Sequence, residues 1–452
     1  MKNNRSNFTS KIGFILAAAG SAVGLGNLWR FPYLAAQYGG GTFLLCYLIL
    51  AVTFGFALMV AEIALGRKTR LSAIGAFAVL DKKYSFIGVL VALVPILILP
   101  YYSVIGGWVI KYFIVFISGQ THAASDDAYF TGFISQTGEP LLWFALFVTF
   151  TAIVVILGVE KGIETVSKFM MPVLVVLTIG ISLYVLTIDG AWDGVKYYIM
   201  PHMSDFSLKT LLAAMGQLFY SMSLAMGIMI TYGSYMKKAT RLESSVRQIE
   251  FFDTAIAFFA GLMIVPAVFA FSGGDATKLN AGPGLVFITL PKVFDSMPLG
   301  GLFGTLFFVL VFLAAVTSSI SLMETIVSIL MDRFHWSRKL TSIIVFVYIL
   351  LMGIPSSLGF GIWDFIQPLG MSILDAYDFI SNSILMPIVA LLTCFFVAFI
   401  IKPKTIIEEA EAEGAKFTAK TLFTVVIKWV APVILVAILI SSVLNAMGLY
   451  VL

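Results

Sequence analysis

The sequence predicts an all-α integral membrane protein with eleven transmembrane helices, and three observations carry that prediction. Hydrophobic residues make up 60% of the 452 positions and charged residues only 12%, about half the charged share of a soluble globular domain. Mean hydropathy is +1.01. Strongly apolar windows of about 20 residues, each able to cross a hydrocarbon core of about 30 Å, recur along the whole chain. The lipid bilayer is therefore the expected partner, and nucleic acid is not. The net charge of +4 says little about partners, because topology places the basic residues.

The spans follow in order. A polar run, MKNNRSNFTSK, precedes the first, at 12–36. That span lacks a convincing cleavage site and is expected to stay as a helix. The second and third, at 41–66 and 86–118, are separated by Arg67, Lys68, Arg70, Lys82 and Lys83. The fourth and fifth, at 141–158 and 163–188, flank Lys161. The sixth, 208–236, runs into Lys237, Lys238, Arg241 and Arg247 before the seventh at 249–272. The loop 273–298 is long and partly apolar, and it is expected to fold back over the outer face as a lid. Arg333, Arg338 and Lys339 separate the eighth and ninth spans, 299–331 and 340–356. The tenth, 374–401, leads into a charged stretch at 403–420, expected to be a solvated link, and the eleventh is 421–450.

These basic clusters gather on one side, which places the N-terminus in the cytoplasm and the C-terminus outside. The opposite loops keep mostly acids, such as Asp126, Asp127, Glu139, Asp189 and Asp193. Cys46 and Cys394 lie far apart inside apolar segments, so no disulfide or metal framework is expected.

Two spans carry damage. The first holds Gly20-Ser21-Ala22-Val23-Gly24-Leu25-Gly26-Asn27, and the sixth, about 200 residues later, holds Ser221-Met222-Ser223-Leu224-Ala225-Met226-Gly227. Each opens a set of five helices, 1–5 and 6–10. Interrupted helices at matching positions of two halves point to a central transport site. Unwinding frees carbonyls and amides that lipid cannot satisfy, at several kcal/mol each. The break survives where cations take the carbonyls and an anionic group takes the amides at a half-helix N-terminus. The plainer alternative is close helix packing through small residues. GLGNLW is no dinucleotide loop, since no strand–turn–helix context surrounds it, and no organic cofactor is expected.

Arg30, Glu62, Asp253, Glu324 and Asp378 fall within or beside apolar spans. Each is costly there and should face a partner or a wet cavity. Arg30 and Asp378 both lie in the outer halves of their helices, which suggests an Arg–Asp pair closing an outer vestibule. Asp253 is placed near the cytoplasmic start of the seventh helix, reaching inward.

The run LAAAGSAVGLGNLWRFPYLAAQYGGGTFLLCY resembles the first two helices of the neurotransmitter:sodium symporters, whose bacterial members transport amino acids. AEIALGR, the tyrosine pair Tyr101–Tyr102, Gly162 and Pro172 with nine residues between, GQLFYSMSLAMG, TYGSYM, AAVTSSISLM and LDAYDF extend the likeness over almost the whole chain. Eleven helices suit a bacterial branch, in the plasma membrane. The resemblance implies a 5+5 inverted repeat with helices 1 and 6 unwound at mid-membrane, plus one extra helix. The implied parts are an N-terminal segment (1–11), two repeats (12–207 and 208–402), and a link with the last helix (403–452).

The resemblance also implies a site. One sodium ion would be held by Ala22, Asn27, Ser221, Asp253 and the substrate carboxylate. A second would lie between Gly20, Val23, Ala314, Thr317 and Ser318. All are hard oxygen donors, as an alkali cation requires. The substrate would lie against Ala22, Gly24 and Gly26, with Tyr102 donating to its carboxylate. Ser221 and Ser318 are shared with the ions, and the side chain would meet Tyr220, Ser223, Met226 and Leu322. Arg30 and Asp378, with Tyr220 beneath, resemble an outer gate. Arg5, Asp332 and Tyr235 resemble an inner latch, and Gly162 with Pro172 marks where helix 5 would unwind.

Two departures sharpen the expectation. Asp253 stands where many members have asparagine, with alanine at 257, so a carboxylate would replace the chloride that animal members need. Gly24 stands where amine-transporting members have aspartate, so an α-amino acid is expected. Met226 suits varied apolar shapes, favouring a hydrophobic or aromatic L-amino acid. The histidines, His122, His202 and His335, form no catalytic constellation, so no enzyme is expected. A non-transporting sensor on the same fold and an ion channel remain rivals, and the oligomeric state is open.

Overall fold

The computed structural model describes residues 6–273 and 282–446. Among the described residues every regular element is helical. The first span is broken into α1 (Lys11–Ala22) and α2 (Gly26–Gln37), bent by 52°. Then follow α3 (Gly41–Thr69), α4 (Lys82–Ile117), α5 (Gly138–Ile156) and α6 (Val159–Val185). The expected sixth span appears as α7 (Leu208–Ser221) and α8 (Ile228–Tyr235), with residues 222–227 unwound between them. Beyond lie α9 (Leu242–Ser272), α10 (Gly300–Phe334), α11 (Arg338–Leu358), α12 (Ile373–Ile400), α13 (Lys402–Ala410) and α14, apolar over Lys420–Leu444. Among the described residues nine helices are long and apolar enough to cross a membrane, ten if the bent pair counts as one. The count of eleven needs α7 and α8 to be one broken span; each alone is too short.

Burial separates the core from the rim. In its most apolar window α10 is 78% buried, whereas α11 is 39% and α14 33% buried. A helix apolar all round but mostly uncovered by protein meets lipid, so α11 and α14 form the rim. The two breaks lie at the centre: α1 packs against α6, α9 and α10, α7 against the first half of α3, and α8 against its second half.

Three boundaries or loops depart from the sequence expectation. The seventh helix begins at Leu242, seven residues early, because Leu242 and Val246 are fully buried within an otherwise polar turn. Asp253 thus lies well inside the helix. The 403–420 stretch is not merely solvated. Its helix α13 packs on α3, and Ile406, Glu409 and Phe417 are buried. Arg67, 1% exposed, pairs with Glu409 at 2.8 Å, and Lys238 reaches the same carboxylate at 2.6 Å. The loop 273–298, in its described part, packs back onto the helices. Phe287 is fully buried, edge-on to Trp29 and Trp108, and its carbonyl accepts from Tyr112 Oη at 2.8 Å. Residues 274–281 of that loop lie outside the described residues. Cys46 and Cys394 are buried and free.

Candidate functional site

The two breaks are held open by side chains from elsewhere. Val23 leaves α1 in an extended conformation (φ −75°, ψ 101°). In the second break Ser223, Ala225 and Gly227 have φ of 52°, 60° and 73°. Left-handed backbone costs a non-glycine residue of order 1–3 kcal/mol, so something must hold it. Glu62 Oε1 accepts the N–H of Ala225 at 2.7 Å. Ser223 Oγ donates to the Ser21 carbonyl at 2.9 Å, and Gln217 Nε2 donates to the Gly26 carbonyl at 2.9 Å. The buried acid Glu62 thus meets a backbone amide.

A first oxygen-rich cluster joins α2, α3, α7 and α9. Asn27 Nδ2 donates to Asp253 Oδ1 at 2.8 Å and to Ser221 Oγ at 3.0 Å. Ser221 Oγ donates to Asp253 Oδ1 at 2.7 Å, and Tyr47 Oη donates to Asp253 Oδ2 at 3.1 Å. All four residues are fully or almost fully buried. Asn27 Oδ1 faces the other way and accepts the Gly24 N–H at 3.0 Å. A cation ligated by that oxygen requires the Asn27 amide to turn. Among the described residues no group of three His, Cys, Asp or Glu side chains is assembled. One carboxylate among neutral oxygens suits a monovalent hard cation better than a transition metal.

A second cluster joins α1 to α10. Ser318 Oγ donates to the Ser21 carbonyl at 3.1 Å and lies 3.5 Å from the Val23 carbonyl. Thr317 Oγ1 turns back onto the carbonyls of Leu313 and Ala314, at 3.0 and 3.1 Å. Gly20 faces it: a Cβ there would lie 3.4 Å from Thr317 Cβ.

Between the clusters lies a small cavity of about 340 Å³, counting space open to solvent. Ala22, Gly24, Gly26, Tyr102, Tyr220, Ser223, Met226, Ser318 and Leu322 line it. Ser221 does not; it turns to Asp253. Ser21, Leu25, Ile98 and Ile228 complete the wall; Ser21 and Leu25 lie within the first break, while Ile98 and Ile228 were missed because isolated apolar residues in apolar helices carry no signal. Tyr102 Oη is buried and makes no hydrogen bond of acceptable geometry, with Ser318 and the Leu25 backbone as its nearby polar groups. A Cβ on Gly24 would lie 2.6 Å from Ser318 Oγ and 3.3 Å from Tyr102 Oη. A Cβ on Gly26 would come within 2.5 Å of the Tyr220 ring. At both glycines the neighbouring side chains approach too closely to admit a Cβ.

The expected Arg30–Asp378 ion pair is not formed. Asp378 Oδ1 is already occupied by Tyr101 Oη at 2.9 Å and Asn382 Nδ2 at 2.6 Å. The Arg30 guanidinium instead sits over the Tyr220 ring, 5.5 Å from its centroid, a cation–π contact. On the inner side Tyr235 Oη donates to Glu324 Oε1 at 2.6 Å. Arg338 grips the Glu324 carboxylate with two nitrogens, at 2.6 and 2.9 Å, a pairing the sequence did not suggest. Asp332 accepts the Ser72 N–H at 2.7 Å, and Arg5 lies outside the described residues. Around Gly162 the chain forms a wide helical turn (Val159–Glu164), and the helix then runs unbroken through Pro172.

Comparison with known proteins agrees with this geometry. A sequence profile of the "Sodium:neurotransmitter symporter family" matches residues 5–126 and 129–450. The uncharacterized sodium-dependent transporter YhdH of Bacillus subtilis (strain 168) is 37% identical over 407 residues, 89% of each chain. An uncharacterized sodium-dependent transporter of Haemophilus influenzae is 34% identical and covers 97% of this chain and 98% of its own. The crystal structure of MhsT in complex with L-phenylalanine superposes with a TM-score of 0.87 at 39% identity, covering 97% of this chain and all of that one. These are transporters, not enzymes. With two broken helices meeting at a central cavity, the chain belongs to the sodium:neurotransmitter symporter family, as a multi-pass, sodium-dependent membrane symporter.

Proposed function

We propose that this protein imports a hydrophobic or aromatic L-amino acid together with two sodium ions, by alternating access and without chloride. The observation that carries the reading is the unpartnered Tyr102 hydroxyl beside Gly24. A buried donor left unmade costs about 1–3 kcal/mol, and a substrate carboxylate would repay that cost. Gly24 lets Ser318 and Tyr102 approach the backbone of the break, where a side chain would collide with them, and Ile98, Met226, Ile228 and Leu322 offer an apolar wall for the substrate's side chain. That MhsT was crystallised with L-phenylalanine supports an aromatic substrate.

In this reading the first sodium ion sits among Ala22, Asn27, Ser221, Asp253 and the substrate carboxylate. The second sits among Gly20, Val23, Ala314, Thr317 and Ser318. Asp253 supplies the negative charge, which makes chloride dispensable. Repeats at 12–207 and 208–402 rock about the site. Arg30 with Tyr220 and Asp378 with Tyr101 close it from outside, while Arg5, Asp332, Tyr235, Glu324 and Arg338 close it from the cytoplasm. The basic clusters support an N-terminus in the cytoplasm and a C-terminus outside, in a bacterial plasma membrane.

Equilibrium binding of labelled L-phenylalanine to the purified protein tests the substrate class. Binding is expected in sodium but not potassium, to persist when gluconate replaces chloride, and to be displaced by L-leucine and L-tyrosine. Displacement by phenethylamine, which has no carboxylate, as effective as by L-phenylalanine would overturn the role given to Tyr102 and Gly24.

A further inference from the structure

On the N-terminal side of the molecule a groove of about 860 Å³, counting space open to solvent, lies between the start of α9 and the 411–418 link. Arg241, Arg247, Lys416 and Glu243 are its charged lining residues. Glu243 is already satisfied: Arg247 pairs with it at 3.1 Å, and Thr418 donates to it through N–H and hydroxyl at 2.7 Å each. Arg241 and Lys416 are exposed and form no ion pair among the described residues. A further cation comes from α1, where Lys11 Nζ donates to Ser244 Oγ, on the groove wall, at 3.1 Å. The groove thus keeps uncompensated positive charge from three chain segments.

Its floor has the opposite character. Phe251 lines the groove and is 68% exposed. Ser244, Gln248 and Phe251 are spaced four and three residues apart, so they share one face of α9. Along that face the surface passes from cationic to aromatic as the helix runs into its apolar span. A soluble anion would use only the cationic end. An amphiphile with an anionic head would use both, and basic pockets at the membrane surface select such lipids.

We propose that this groove binds an anionic phospholipid from the leaflet on the N-terminal side, its phosphate between Arg241, Lys416 and Lys11 and an acyl chain along Phe251. The bound lipid ties α1 to α9 and to the link, so it holds the inner half of the broken first helix against its neighbours.

Native mass spectrometry of the full-length protein tests this, with detergent-solubilised samples exchanged against dioleoylphosphatidylglycerol or dioleoylphosphatidylcholine. Phosphatidylglycerol is expected to be retained in preference to phosphatidylcholine. The double variant R241Q/K416Q should weaken that retention on the order of 30-fold, and F251S should weaken it as well. An unchanged unfolding midpoint checks that each variant is folded, and K416Q alone, at an exposed site, serves if the double variant is not. Equal retention of the two lipids, or phosphatidylglycerol retention untouched by the cation substitutions, would overturn the proposal. So would displacement of the lipid by millimolar inorganic phosphate, which would assign the groove to a soluble anion.

Discussion

Asn27 and Asp253 stand 226 residues apart in the chain, and Asn27 Nδ2 donates to Asp253 Oδ1 at 2.8 Å. That bond fastens the outer half of the broken first helix to α9. It also places a full negative charge where Ser221 and Tyr47 donate their hydroxyls. At about 4 Å and an effective dielectric of 20, a carboxylate offsets a monovalent cation by about 4 kcal/mol. Asp253→Asn keeps the shape, removes that charge, and turns one acceptor among three donors into another donor. Sodium titration of L-phenylalanine binding should therefore shift at least tenfold to higher sodium. An unchanged titration would mean that the charge of Asp253 plays no part in holding the ion.

The Tyr102 hydroxyl separates stability from binding. The hydroxyl is buried and makes no hydrogen bond of acceptable geometry within the protein, so Tyr102→Phe should leave the unfolding midpoint unchanged or slightly raised. A hydrogen bond to a charged group contributes about 1.5–3 kcal/mol, so substrate affinity should fall roughly 10- to 100-fold. Calorimetry of binding beside thermal unfolding reads both quantities. A loss of stability with unchanged affinity is the opposite pattern and would make this tyrosine structural.

Arg67 and Glu409 anchor α13 beneath α3, with side chains 1% and 5% exposed. Removing one partner of a buried ion pair strands the other, at about 3–5 kcal/mol. Glu409→Ala should lower the unfolding midpoint sharply, and exchanging both residues for apolar ones should recover much of that loss. A midpoint shift within error for Glu409→Ala would show that α13 is only loosely held.

Acidity tunes one tie at the outer lid. His122, in the short helix Thr121–Ala124, meets Asp295 Oδ2 at 2.9 Å. The hydrogen bond and charge of Asp295 hold the imidazole above its ordinary value of 6.5, and His122 in turn lowers the Asp295 carboxyl. The raised histidine stabilises the tie fully below pH 6.5, and that contribution is lost as pH rises through the raised value. The lowered carboxyl stabilises it above its ordinary value of 3.8 and loses that contribution as pH falls through the lowered value. Amide exchange across Leu290–Ser296, corrected for intrinsic rates, should thus be slower at pH 5.5 than at pH 8.5. His122→Ala should abolish the difference. A pH difference that survives the substitution would locate the titrating group elsewhere.

Glycine, asparagine and serine inside apolar runs announced both breaks, because such residues have no reason to sit in a helix facing lipid. Seven of the thirteen residues lining the cavity lie within those two runs. Tyr47 and Gln217 were hidden as partners, and Glu62, though it stood out as a charge in an apolar span, gave no hint of its partner Ala225: each role exists only across the packed interface. The Arg67–Glu409 pair was hidden for a related reason. Its residues are 342 positions apart, and a charged link reads as solvated until the helix beneath it is placed. The outer gate shows the limit of pairing charges by depth alone. Asp378 is taken by Tyr101 and Asn382, so Arg30 turns to the face of Tyr220.

The central claim is that sodium gradients drive amino-acid accumulation through the cavity between the two breaks. Uptake of radiolabelled L-phenylalanine into proteoliposomes, with an inward sodium gradient and then with potassium in its place, tests it most directly. The account predicts accumulation above the external concentration in sodium, collapse when the gradient is dissipated, and none in potassium. Sodium-dependent binding without accumulation would contradict transport and make the protein a sensor, and flux with no fixed ratio of sodium to substrate would make it a channel.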